Sequence, residues 1–254
     1  IKIHATTVVK EDPDLRASPG FNGFLKPRHP ILGQELAGEI ETTGRDVTRF
    51  KTGDQVFGFD MFGAYAEYKC MPENGALAIK PVNLSYEEAA SVPNGALTAL
   101  PFLRDKGKIQ SRQTVLIYGA SGSVGAAAVQ LARYYGAEVT GVCSTANLAW
   151  VQSLGADQVI DYTQEEFTEN GKAYDIIFDT VGKRSFSQCK GSLTGEGIYL
   201  TTVPKPVIML QALWSAKNNG KKARFAATGL RSAREKSKDL VFLAELLEVG
   251  KIKP

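Results

Sequence analysis

From Arg112 onwards, apolar runs of strand length alternate with longer stretches in which apolar residues recur at helical spacing. Because a strand buried on both faces is apolar throughout and a helix that covers a sheet carries one apolar stripe, this alternation predicts a parallel sheet covered by helices. The six predicted strands are Val115–Tyr118, Glu138–Val142, Gln158–Asp161, Tyr174–Asp179, Gly197–Val203 and Ala223–Thr228. The predicted helices are Val124–Tyr135, Ala146–Leu154, Ser185–Ser192, Pro206–Asn218 and, last, Glu235–Val249. Six strands with intervening helices are typical of a doubly wound α/β domain.

The first part of the chain has short apolar runs between Gly, Pro and polar turn residues, and it lacks a long helical period. This pattern predicts an antiparallel β unit with strands at Ile1–Ala5, Glu35–Thr42, Gln55–Phe59 and Tyr65–Lys69. Ser85 and Glu88 have the spacing of a capping box, so a helix is predicted to begin there, and a second helical stretch follows at Asn94–Gly107. We therefore predict a β-rich domain at residues 1–84, linking helices at 85–110, and the α/β domain with a terminal helix at 111–254.

Composition excludes several classes of partner. Lys and Arg number 30 against 27 Asp and Glu, and the charges are interspersed, so the sequence predicts no nucleic-acid partner. No apolar run reaches the roughly 18 to 20 residues of a membrane span, which predicts no membrane partner. The three cysteines, Cys70, Cys143 and Cys189, form no Cys-x-x-Cys pair, and this favours a reducing compartment, which we take to be the cytoplasm.

A glycine-rich turn follows the first strand of the α/β domain and is the strongest chemical signal in the chain. It has the form of the dinucleotide fingerprint G-x-G-x-x-G with alanine in the first place, and a strand, a helix and a second strand follow in the required order. Gly122 would let the backbone approach a pyrophosphate, Gly125 would let the helix pack closely on the strand, and the helix N-terminus offers free N–H groups. The predicted cofactor-binding residues of the turn are Ala120, Ser121, Gly122, Ser123, Val124 and Gly125.

The end of the second strand bears on which nicotinamide cofactor is bound. A site selective for NAD would place Asp or Glu there to bind the ribose 2′-OH, whereas this sequence has Ser144, Thr145 and Asn147. Small hydroxyl and amide donors accommodate a 2′-phosphate, so we predict NADP(H). Ser144 and Thr145 can also be interpreted as the N-cap of the following helix, and the two interpretations are compatible.

Five further motifs resemble the medium-chain dehydrogenase/reductase superfamily, in the same order along the chain. They are Gly33-Gln-Glu-Leu-Ala-Gly38, Phe50-Lys-Thr-Gly-Asp-Gln-Val56, Gly63-Ala-Tyr-Ala-Glu67, Gly95-Ala-Leu-Thr-Ala99 and Leu154-Gly-Ala-Asp157. Within the superfamily the chain looks most like the zinc-independent quinone oxidoreductase branch, which includes zeta-crystallin. The resemblance implies a Rossmann domain and a GroES-like catalytic domain. Full members carry further residues at both ends, so we expect the GroES-like domain to be incomplete in this sequence.

The resemblance also implies roles for individual residues. Tyr162 holds the place of a tyrosine that binds the 2′-phosphate, Thr98 that of a threonine beside the nicotinamide, and Asp12 that of an acidic residue near the active site. The usual asparagine three positions before Asp12 is replaced by Val9, which leaves recognition of the substrate carbonyl without its usual donor. The family also implies a homodimer. Further cofactor-binding residues are predicted where two strands end at the carboxyl edge of the sheet, namely Val181, Gly182, Thr202 and Val203.

Zinc-dependent members of the superfamily hold their metal at positions that correspond to Val9, Gln34 and Asn94. Valine has no donor atom and amides are poor zinc ligands, so no metal site is predicted. Without a Lewis acid, the favoured reaction is hydride transfer from NADPH to an electron-poor acceptor, namely a quinone or an α,β-unsaturated carbonyl. Two alternatives stay open: an enoyl-thioester reductase, and a non-catalytic NADPH-binding protein of the crystallin-like or regulatory kind.

Overall fold

The structure is a computed structural model that describes residues 1–17, 28–203, 205–216, 220–226, 228 and 231–254. Its contacts divide the chain into two units. The first unit comprises Ile1–Leu97, Arg231–Gly250 and Pro254, and the second comprises Thr98–Leu230 and Lys251–Lys253. Each unit has its own hydrophobic core.

The first unit is built on an antiparallel sheet of four strands in the order β1-β2-β3-β4. The strands are β1 Lys2–Thr6, β2 Glu35–Glu39, β3 Gln55–Phe59 and β4 Ala76–Ile79. Helix α1, Glu11–Ala17, follows β1, and α2, Tyr86–Ala90, packs against β1 and β2. A core cluster that includes Leu36, Val56 and Leu77 holds the sheet together.

Two features of the first unit differ from the prediction. The segment predicted as a strand at Tyr65–Lys69 forms only an isolated bridge, between Lys2 and Tyr68, because its backbone bonds to several different segments. For example, the Tyr65 N–H donates to Leu32 and the Lys69 N–H donates to Ile1. The fourth strand is β4 instead. Helix α1 was not predicted, because seven residues are too few to establish a helical period.

The terminal helix also departs from the predicted domain division. It spans Ala233–Glu248, and the contacts group it with the first unit, whereas we predicted it as part of the α/β domain. Its apolar stripe, which includes Leu240, Leu243 and Leu247, is buried, and the helix packs against β4. The spacing predicted an amphipathic helix, but a periodicity carries no information about which sheet covers it. We number this helix α8.

The second unit contains the predicted parallel sheet of six strands, in the order β10-β9-β8-β5-β6-β7. The strands are β5 Thr114–Tyr118, β6 Glu138–Cys143, β7 Gln158–Asp161, β8 Tyr174–Asp179, β9 Leu193–Thr201 and β10 Lys222–Phe225. The order reverses between β5 and β8, and in such sheets ligands bind beyond the carboxyl ends of the strands at that point. The predicted doubly wound fold is confirmed.

The helices of the second unit lie close to their predicted positions. They are α3 Pro93–Pro101, which begins in the first unit and continues as a π-helical turn at Phe102–Gly107, α4 Ser123–Tyr134, α5 Leu148–Ser153, α6 Phe186–Cys189 and α7 Pro206–Ala216. The predicted ends of α7 and of β10 extend into residues 217–218 and 227, which lie outside the described residues. Among the helices that the structure describes, none combines the length and the apolar character that a membrane crossing requires.

Candidate nucleotide-binding site

The glycine turn between β5 and α4 is held tightly by backbone contacts. The N–H groups of Gly119 and Ala120 both donate to the Val142 carbonyl at 3.0 Å, and Gly119 has a φ of +83°. A Cβ at Gly125 would lie 2.0 Å from the Gly119 oxygen, so only glycine permits this approach of helix to strand. Gly125 therefore has the packing role that the fingerprint assigns to it.

The second glycine of the fingerprint, Gly122, has space around it. Among the described residues, a Cβ there would meet the Gly119 oxygen at 3.5 Å and no other atom within 4 Å, and Gly122 is the N-cap of α4 with no side-chain hydrogen bond at the cap. The first N–H groups of a helix have no partner within the helix, so they are available to an anion. This turn forms a cradle that fits the pyrophosphate of a dinucleotide. Ala120 is fully buried, so its contribution to such a site comes from its backbone.

The predicted 2′-phosphate residues gather at the ends of β6 and β7. The Asn147 amide donates to the Ser144 hydroxyl at 3.0 Å, and the Tyr162 N–H donates to the Cys143 carbonyl at 3.1 Å. The Tyr162 side chain is half exposed. A carboxylate that sequence reasoning missed lies among them, because Asp161 is paired in register with Cys143 and accepts from the Thr145 hydroxyl at 2.5 Å.

A buried aspartate organises the loop that follows β8. Asp179 Oδ1 accepts from the N–H groups of Val181 at 3.0 Å and Gly182 at 2.8 Å, and its Oδ2 accepts from Arg184 N–H at 2.9 Å and from the Tyr199 hydroxyl at 3.1 Å. Asp179 is fully buried, so these four hydrogen bonds fix the loop without competition from water. Asp179 was not predicted as a site residue, although its position at the end of a buried strand is a signal for one.

The ends of β8 and β9 meet, as predicted for Val181, Gly182, Thr202 and Val203. The Thr202 hydroxyl donates to the Thr180 carbonyl at 3.2 Å. A Cβ at Gly182, whose φ is +74°, would lie 2.4 Å from a Val203 methyl group. The Lys205 ammonium donates to the Gly182 carbonyl at 2.5 Å. These contacts give the carboxyl edge of the sheet a fixed wall beside the glycine turn.

In the first unit, Asp12 belongs to a buried polar cluster. Its Oδ2 accepts from the Tyr65 hydroxyl at 2.7 Å and from the Val9 N–H at 2.9 Å, and its buried Oδ1 has no hydrogen-bond partner among the described residues. Burial raises the pKa of the Tyr65 phenol, and the neighbouring Asp12 and Glu35 raise it further, so Tyr65 stays protonated. Glu35 accepts from the Asn94 N–H at 2.7 Å and also from the Thr7 hydroxyl.

Thr98 lies on α3, is half-buried, and belongs to the second unit, whereas Asp12 belongs to the first. The catalytic roles of both residues stay predictions.

The donor set at the positions where relatives hold zinc does not fit a metal. Val9 has no donor atom, Gln34 offers an amide, and the Asn94 backbone is bonded to Glu35. Among the described residues, no group of three His, Cys, Asp or Glu side chains could hold a metal ion.

Fold and site together define a dehydrogenase-type nucleotide-binding protein. Residues 1–81 match the family described as the alcohol dehydrogenase GroES-like domain, and residues 154–254 match the one described as zinc-binding dehydrogenase. A quinone-oxidoreductase homolog from the chloroplast of Spinacia oleracea is 34% identical over 239 residues, which cover 87% of this chain and 71% of that protein. The chain belongs to the quinone oxidoreductase branch of the medium-chain dehydrogenase/reductase superfamily. The resemblance noted from the sequence motifs is therefore confirmed. The members of this family are NAD(P)-dependent oxidoreductases.

Two further similarities extend the comparison. The 2-methylene-furan-3-one reductase of Solanum lycopersicum is 36% identical over 174 residues, which cover 64% of this chain and 44% of that protein. The structure of the quinone oxidoreductase from Coxiella burnetii superposes with a TM-score of 0.83 at 29% identity, covering 99% of this chain and 79% of that one.

Proposed function

We propose that the protein is an NADPH-dependent reductase of quinones or α,β-unsaturated carbonyls. The observation that carries the proposal is the glycine cradle between β5 and α4, in which the described residues leave space at Gly122 and which lies at the carboxyl edge of the sheet. Two relatives, a quinone-oxidoreductase homolog and a 2-methylene-furan-3-one reductase, support this acceptor class.

The cofactor would be held by three groups of residues. The backbone from Ser121 to Gly125 and the first turn of α4 would bind the pyrophosphate. Ser144, Asn147 and Tyr162 would bind the adenosine ribose and its 2′-phosphate, with Thr145 beside them. The fixed wall of Val181, Gly182, Thr202 and Val203 would lie along the nicotinamide half. NADPH, when bound, supplies the hydride.

The acceptor chemistry would rest on hydrogen bonding rather than on a metal. Hydride addition to a quinone or an enone leaves negative charge on oxygen, and this charge needs a donor. We assign Thr98, whose hydroxyl can donate, to the nicotinamide side. We assign Asp12 to the acceptor side as a residue that would position a donor near the acceptor oxygen, since a carboxylate accepts hydrogen bonds and does not supply one. Because Tyr65 stays protonated and donates to Asp12, it fixes the orientation of that carboxylate. Val9 cannot supply the amide donor that related enzymes have, so an acceptor activated by its own conjugation fits best.

We further propose that the protein is a homodimer. Helix α7 carries no charged residue, and Val207, Leu210 and Trp214 on it are 59%, 68% and 69% exposed. Their spacing of three and four places them on one face of the helix. Helix α7 packs against β10, which stands last in the order of the described strands and pairs there with β9. A strand edge that no described strand covers, beside an apolar stripe, is a surface that a second copy can cover around a twofold axis.

Light scattering after size exclusion tests this arrangement. The unmodified protein should elute with twice the mass of one chain, and Leu210→Asp should shift it towards the monomer. Val82 is 88% exposed in the first unit, so Val82→Asp is the matched control and should leave the dimer intact. An unmodified protein that elutes as a monomer would exclude the dimer.

We propose that the protein works in the cytoplasm, and its three free cysteines support a reducing compartment. The relative from spinach is chloroplastic.

A panel of acceptors tests the enzymatic proposal. NADPH oxidation would be followed with a quinone, a simple enone, a crotonyl thioester and a saturated aldehyde. Turnover with the quinone or the enone, and little with the aldehyde, is expected. Turnover confined to the thioester would favour the enoyl-thioester reductase instead. Tight NADPH binding without turnover on any acceptor would favour the non-catalytic protein.

A further inference from the structure

The end of β7 brings a carboxylate to the place where the cofactor's adenosine ribose is expected. Asp161 is paired in register with Cys143, the last residue of β6, although it is 18 positions further along the chain. The Thr145 hydroxyl donates to its Oδ2 at 2.5 Å, and the N–H and hydroxyl of Thr163 donate to its Oδ1 at 2.9 and 2.8 Å. Asp161 thus joins the ends of the two strands.

These hydrogen bonds distinguish the hydroxyl group of Thr145 from that of Ser144. The sequence alone gives both the same predicted role. A hydroxyl has one proton to donate, and Thr145 donates it to Asp161. Ser144 is different, because its oxygen accepts from the Asn147 amide at 3.0 Å, and among the described residues no acceptor takes its own proton. A phosphate dianion accepts hydrogen bonds only, so Ser144 can serve it while Thr145 cannot without first releasing Asp161.

The negative charge of Asp161 also disfavours a 2′-phosphate bound beside it. The hydrogen bond from Thr145 and those from Thr163 lower the pKa of Asp161, so the carboxylate is anionic at neutral pH. Residues 144–147 contain no cationic side chain that would offset it. A second anion placed within a few ångströms is repelled, although solvent screening keeps the effect modest.

We propose that Asp161 determines how strongly the protein prefers NADPH over NADH: it withdraws Thr145 from the phosphate site, leaves Ser144 as the donor, and weakens binding of the 2′-phosphate. This proposal rests on the proposed function, since it concerns the same nucleotide site. The residues after β6 include no carboxylate, which by itself predicts a strong preference for NADPH. With Asp161 at the end of β7, the preference for NADPH over NADH should be weaker than that.

Calorimetric titration with two adenosine probes tests the proposal without turnover. The probes are 2′,5′-ADP, which carries the 2′-phosphate, and 5′-AMP, which lacks it. Ser144→Ala should weaken 2′,5′-ADP binding about tenfold, because a hydrogen bond to a charged group is lost. Asp161→Asn should strengthen it about two- to fivefold, the size of an exposed charge interaction. Thr145→Val is the discriminating variant: because the proposal commits the Thr145 hydroxyl to Asp161, its loss should change 2′,5′-ADP affinity by less than about twofold.

For all three variants, 5′-AMP affinity should stay nearly constant, which a general loss of structure would not allow. The proposal is overturned if Thr145→Val weakens 2′,5′-ADP binding as much as Ser144→Ala does, or if Asp161→Asn leaves or lowers that affinity. Failure of the unmodified protein to bind either probe would instead refute the proposed nucleotide site itself. The two failures are therefore distinguishable.

Discussion

Alanine at the two glycines of the nucleotide turn should separate folding from cofactor binding. At Gly125 the new Cβ would lie 2.0 Å from the Gly119 oxygen and 2.8 Å from the Ala120 Cα, and both are backbone atoms that no rotamer change can move away. Carbon atoms make ordinary contacts at roughly 3.5 Å, so the start of α4 must shift by about 1 Å or more. Overpacking of this kind costs about 3 kcal/mol, which corresponds to a Tm lowered by roughly 6 to 12 °C.

At Gly122 the same substitution has the opposite profile. The nearest contact of the new Cβ is 3.5 Å and φ is −80°, so the backbone accepts alanine. The weaker N-cap and the less flexible unfolded chain offset each other, and stability should change by less than about 0.5 kcal/mol. The methyl group would occupy the space in which the pyrophosphate is expected, so NADPH affinity should fall about tenfold or more.

Thermal unfolding and fluorescence titration with NADPH measure both effects on the same samples. Gly195→Ala is the matched control, because a Cβ there would meet no atom of the described part of the chain within 4 Å. The reasoning is refuted if Gly125→Ala melts with the control, or if Gly122→Ala binds NADPH as tightly as the unmodified protein does.

Three other predictions concern stability and reactivity. Asp179→Asn places an amide N–H₂ among the four groups that donate to Asp179, so it should lower the free energy of unfolding by about 2 to 3 kcal/mol. An unchanged midpoint in a urea titration would show that these hydrogen bonds do not hold the loop. Burial raises the pKa of Cys189 to about 12 and also raises that of Cys143, whereas Cys70 is exposed. Iodoacetamide at pH 8 should therefore add one label to the native protein and none to Cys70→Ser, as measured by intact mass. Ser232→Ala removes the capping box of α8 and should cost about 1 kcal/mol in the same urea titration, and a loss below about 0.3 kcal/mol would argue against that cap.

The parallel sheet and the nucleotide turn were accessible from the sequence because both depend on local signals. A buried strand such as β5 is apolar throughout, and Gly122 and Gly125 keep a fixed spacing at the start of α4. The close approach of Gly125 to Gly119 joins α4 to the end of β5, whereas the hydrogen bonds to the Val142 carbonyl come from another strand, β6. The existence and place of the turn could nevertheless be predicted without knowing how distant segments meet.

The features that were missed depend on distant contacts. Asp161 lies beside the predicted 2′-phosphate residues because the register of β6 and β7 pairs it with Cys143. Likewise, the stripe of α8 predicts burial but not that β4 is the surface that covers it. The different hydrogen bonds of the Thr145 and Ser144 hydroxyl groups also depend on neighbours, since Thr145 donates to Asp161 and Ser144 accepts from Asn147. The local sequence pattern does not identify the first of these partners.

The most direct test of the proposed activity follows the hydride itself. The protein would be incubated with an enone and with NADPH that carries deuterium at both C4 positions, and the reduced ketone would be examined by NMR and mass spectrometry. The account predicts one deuterium at the β-carbon of the product, formed in step with oxidation of the nicotinamide. A reduced product without deuterium, or NADPH consumption without reduction of the alkene, would contradict it.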